Sequence, residues 1–188
     1  MRHMLLLALA LLAWLPSRAA TLEQVARLLA QPAQPAKPSK QAQKPGTTEG
    51  WTRLDALPGM AWQHAGVKRT PMGHTRHGTL QVHGLGKVTA FFNGSLKEPQ
   101  SASLLLAQGI DKAQFNATVR RLMPAVQVKP VRAGCKDDSD IGGSAVFQLH
   151  LAGARPAYLM LMSGTSKAGL ETELAIAAQL PAAWSCPA

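Results

Sequence analysis

The chain opens on an apolar run, Met4 through Leu15, twelve residues without a charge and rich in Leu and Ala. Arg2 and His3 precede it, and Ser17-Arg18-Ala19 follows, with small residues at the two positions a signal peptidase inspects. This is the pattern of a removable export signal over residues 1–19, cut between Ala19 and Ala20. Twelve helical residues span roughly 18 Å, short of the roughly 30 Å hydrocarbon core, so the run does not suit an uncleaved anchor. No twin-arginine pair precedes it and no cysteine stands at the cut to take a lipid. No later stretch approaches eighteen uninterrupted apolar residues, so no membrane span is expected after cleavage. The expected address is bacterial: the periplasm or the medium.

Residues 20–50 read as a short helix and a linker. Thr21 and Gln24 have capping-box spacing, and Leu22, Val25, Leu28 and Leu29 share one helical face until Pro32 interrupts it. A helix this short is marginal alone, so it either docks on the domain or frays. From Gln31 to Gly50 the chain turns to Pro, Gln, Ala, Lys and Thr, with no aliphatic side chain larger than alanine, the composition of a flexible tether.

A single globular domain is expected over residues 51–188. A strand is predicted over 60–67. Leu80 and Val82, then Val88, Ala90 and Phe92, alternate with polar neighbours around Gly84-Leu85-Gly86-Lys87, a hairpin pattern. Asp111 is placed to cap the main helix, in which Phe115, Val119, Leu122 and Met123 recur at helical spacing until Pro124. Further strands are predicted over 126–131, 147–151, 157–162 and 174–180, the third continuously apolar as a strand buried on both faces would be. The pattern gives an α+β fold: an antiparallel sheet of about five to seven strands packed against one main helix and closed by one disulfide.

Charge adds a partner class. The formal net charge is +10, and it is uneven: residues 24–132 carry fifteen basic and four acidic side chains, residues 133–188 three and five. Such a field favours anionic partners, namely phosphate-bearing lipid, a cell-wall polymer or an acidic envelope protein. Nucleic acid is not expected as a partner, because the chain is exported and has one tyrosine and four phenylalanines with which to stack bases.

Candidate chemistry is sparse. Cys135 and Cys186 are an even pair in a compartment that permits disulfides, and a bridge between them closes a loop valued at roughly 4 kcal/mol by chain entropy. His64, His74, His77 and His83 cluster with Met60 and Met72, the ligand types copper prefers, so a copper or zinc site drawing on His64, His74, His77 and Met72 is one candidate. His77 and His83 lie about 20 Å apart along an extended strand and cannot share an ion. Asp137, Asp138 and Asp140 offer carboxylates beside Cys135 but lack the EF-hand order, which leaves a polar turn or an acidic contact loop. The run Ser163 to Gly169 lacks the glycine that precedes the lysine of a phosphate loop, and the common serine-hydrolase patterns are absent. Trp62, beside Gln63 and His64, is a candidate interface residue.

No catalytic residue is nominated and no cofactor is expected outside the copper or zinc alternative. The leading expectation is an exported, basic, non-catalytic binding protein that recognises an envelope protein or an anionic envelope component. An inhibitor- or immunity-like protein is one form of that class. The alternative is a periplasmic copper- or zinc-binding protein built on the histidine cluster.

Overall fold

The computed structural model describes residues 19–31, 49–132, 143–166 and 169–182. Nine strands form one antiparallel sheet: β1 (Met60–Trp62), β2 (Lys68–Thr70), β3 (Gly73–Val82), β4 (Gly86–Gly94), β5 (Pro99–Leu106), β6 (Gln127–Arg132), β7 (Gly143–His150), β8 (Ala157–Ser166) and β9 (Gly169–Ala177). Across the sheet the order is β1-β3-β4-β5-β9-β8-β7-β6, with β2 also paired to β3. Two meanders meet where their last strands pair, Ser101 opposite Ala177 through Leu106 opposite Thr172.

Period-two alternation decides what each face buries. Leu80 pairs with Val88, Ala90 with Leu104, Ala102 with Ile176, Leu174 with Leu161 and Leu159 with Phe147, so these side chains share one face. They form a single core with Leu22, Val25 and Leu29 of α1 (Leu22–Ala30), Trp51 of the short α2 (Glu49–Thr52), Leu54 of the 3-10 turn Arg53–Ala56, and Phe115, Val119 and Leu122 of α3 (Phe115–Leu122). Each large apolar side chain buried this way contributes about 1.5–3 kcal/mol.

The first helix docks. Its capping box closes as spaced: Thr21 Oγ1 accepts the Gln24 N–H at 3.1 Å, and Gln24 Oε1 accepts the Thr21 N–H at 2.8 Å. Arg27 pairs with Glu23 at 2.8 Å and donates to the Ala152 carbonyl at 2.7 Å, which ties α1 to the turn before β8. Ala20, fully buried, forms a parallel bridge with Val82 just ahead of the cap.

The expectation of one main helix on five to seven strands is overturned: the described residues are mostly β, with nine strands and only short helices among them. Two strands account for the shortfall. The predicted strand over 60–67 is in fact β1 followed by a loop, with β2 beyond it, and β5 carries only a weak apolar signal, since its buried positions are Pro99, Ala102 and Leu104. The predicted main helix is also shorter, because its first turn is 3-10 over Lys112–Gln114. There the Asp111 carboxylate caps the Ala113 N–H, two residues on, at 2.8 Å. Ser163 and Thr172, buried and 2.7 Å apart, fix the approach to that turn. Thr172 Oγ1 accepts the Ile110 N–H at 2.7 Å, and Ser163 Oγ donates to the Ile110 carbonyl at 2.6 Å. The predicted Cys135–Cys186 bridge lies outside the described residues, among which there is no disulfide.

Candidate binding surface

Trp62, His64, Met72, His74 and His77 all fall at one corner of the sheet, where β1 and β2 lie along β3. Gly78 makes the corner possible. A Cβ there would overlap the Ala61 carbonyl oxygen and sit 2.7 Å from Met60 Cε, so β1 approaches only because β3 has no side chain at that point. Gln63 N–H then donates to the His77 carbonyl at 3.1 Å, carrying the chain past His64 before it enters β2.

On the core side the corner is held by Arg76, opposite Phe92 in the register. Its guanidinium lies 3.7 Å from the Trp62 ring centroid, and Nη1 meets Asp55 Oδ1 at 2.7 Å. The same oxygen accepts the Trp62 indole N–H at 2.8 Å. Trp62 also meets Phe92 edge to face, ring centroids 5.8 Å apart. The Arg76 side chain is 11% exposed and its Nε is buried without a hydrogen-bond partner. Trp62 thus serves as the hub joining the 3-10 turn of Asp55 to the sheet.

On the side opposite the described core helices, His77 stacks on Phe91 with ring centroids 5.5 Å apart, and His64 meets His77 edge to face at the same separation. His74, three residues before His77, lies on the other face, opposite Gly94. The structure therefore brings His64 and His77 together and leaves His74 and Met72 apart from them. Among the described residues no group of three or more His, Cys, Asp or Glu side chains is placed to hold a metal. Asp137, Asp138 and Asp140 lie outside the described residues.

The β2–β3 hairpin forms the tip of this corner. Thr70 pairs with Gly73 around Pro71-Met72, and Gly73 takes φ +126°, a conformation that favours glycine. Met72 is 98% exposed, far beyond the other exposed large apolar residues among the described ones, which reach 44%. Lys68 and Arg69 are exposed on β2, and Arg69 faces His74 across the hairpin. A thioether at a tight-turn tip, where Asn, Asp or Gly is the local preference, gains nothing from its own fold. The tip thus combines one exposed apolar side chain with two exposed cations on the strand that leads into it. The run Lys68-Arg69-Thr70-Pro71-Met72-Gly73 is visible in the sequence, but grouping Met72 with the nearby histidines pointed to ligation and not to display.

Comparison with protein families, curated proteins and solved structures returns no match to this chain. Among the described residues no helix is long and apolar enough to cross a membrane.

Proposed function

We propose that the protein is an exported, non-catalytic binding module that engages a phosphate-bearing anionic lipid surface of the cell envelope through the β2–β3 hairpin. The observation that carries this reading is Met72, 98% exposed at a turn that follows Lys68 and Arg69 on β2. A basic residue near an anionic membrane surface contributes about 1 kcal/mol, and partial insertion of a thioether side chain about as much again. Three such contributions give weak, reversible and salt-sensitive attachment, suited to a protein that samples a surface. The net positive charge of the chain adds long-range attraction to the same partner.

Co-sedimentation with vesicles tests it. Binding to phosphatidylglycerol-containing vesicles at low salt, lost at high salt and absent with phosphatidylcholine alone, is the expected result. Equal binding to both vesicle types, or none to either, contradicts it. Recovery of a saturable protein partner whose binding ignores the hairpin would assign the module to an acidic protein instead.

The contact between His64 and His77 supports the second reading, a copper- or zinc-binding protein, with two imidazoles and solvent completing the site. Titration with copper(II) and zinc should then give one-to-one binding that His64→Ala and His77→Ala each abolish and His74→Ala leaves intact. No binding by the native protein ends that reading.

A further inference from the structure

We infer that the expected processing site is used only while Ala20 is out of the sheet, so that cleavage after Ala19 must precede closure of the N-terminal corner. The inference rests on the export part of the proposed function and is independent of the hairpin. Ala20 is fully buried. Its N–H donates to the Gln81 carbonyl at 2.8 Å, its carbonyl accepts the His83 N–H at 2.8 Å, and it bridges Val82 between them. Thr21 follows at once as the cap of α1, and Leu22 begins the buried helical face. No spacer separates the cut from the fold.

A peptidase that takes its substrate as an extended strand needs the main-chain groups on both sides of the scissile bond. Those of Ala20 are already committed to β3 and to the turn after it. Freeing them breaks two main-chain hydrogen bonds and pulls on the capping box, so the folded chain offers the bond only during local opening. Hydrolysis adds water across the Ala19–Ala20 amide: the C–N bond breaks, Ala19 leaves with the carboxylate and Ala20 keeps an ammonium. That ammonium retains a donor for the Gln81 carbonyl, so the new terminus becomes part of the structure and not a tail.

The test compares the full-length precursor, natively prepared or denatured in urea and diluted, as a substrate for detergent-solubilised signal peptidase, with product termini read by mass. The folded precursor should be cut at least about ten-fold more slowly, the factor set by the local opening equilibrium. Val25→Asp, which places a charge in the buried face of α1, should bring the natively prepared precursor toward the denatured rate. Equal rates for folded and denatured wild type overturn the inference. A denatured precursor that is never cut after Ala19 overturns the export reading, and the inference with it. Hydrogen exchange provides a check without a variant: in the mature protein the His83 amide should be protected, and free exchange there would also overturn the inference.

Discussion

Asp55 takes two donors on one oxygen, the Trp62 indole and the Arg76 guanidinium, and is itself about half exposed, while Arg76 is 11% exposed. The two ends of this ion pair therefore have unequal stakes. Removing the carboxylate leaves a nearly buried cation with its ring contact alone, and Asp55→Ala should destabilise the protein by about 1–3 kcal/mol, discounted from a fully buried pair for solvent on the aspartate side. Asp55→Ala/Arg76→Met should be more stable than Asp55→Ala, because an uncharged side chain of similar length replaces the orphaned charge. Urea denaturation of the three proteins checks the order, and a double variant no better than the single contradicts it. Arg76 was legible in principle: counting back by twos from Leu80 places Gly78, Arg76 and His74 on the core face. The apolar signal of this strand begins only at Leu80, and a charged residue ahead of it gives no hint that it lies inward. The same count separates His74 from His77, which proximity in sequence had grouped.

At the scale of elements, two short helices and a buried hydroxyl pair hold the covered face of the sheet. Thr21→Ala removes one half of the α1 capping box and should cost about 1 kcal/mol. Thr172→Val keeps the shape but removes the acceptor for the Ile110 N–H at 2.7 Å, and leaves Ser163 with one partner fewer. About 1–3 kcal/mol is expected, read as a lower denaturation midpoint with an unchanged slope. An unchanged midpoint would show that this knot is dispensable. The capping box, the helix after Asp111, the β3–β4 hairpin and the meander from β7 to β9 were all readable, because each carries strong periodicity or local hydrogen-bond chemistry. β5 was not, because Ala102 and small serines give weak alternation and its place in the middle of the sheet is set by non-local pairing with β9. The 3-10 first turn was also hidden, since it follows from the anchoring of Ile110 by residues more than fifty positions away.

For the whole molecule, helices cover one face of the sheet and the other face carries Phe91, Leu105 and Met162 among polar neighbours, the last two 43% and 44% exposed. The basic excess foreseen from composition is placed by the fold partly on the β2–β3 hairpin, next to the one large apolar side chain that, among the described residues, lies almost wholly in solvent. Charge balance was legible in the sequence. Its meeting with Met72 at a turn tip was not, because the pairing of β2 with β3 decides which residues the turn displays. The role proposed for this tip is attachment of the protein to anionic lipid. The direct measurement is the partition coefficient of the mature protein on phosphatidylglycerol-containing vesicles at low salt, for wild type, Met72→Ser and Lys68→Ala/Arg69→Ala. About a five- to ten-fold loss is expected for the first variant and about a thirty-fold loss for the second, with folding intact. Wild-type partitioning in both variants would contradict it.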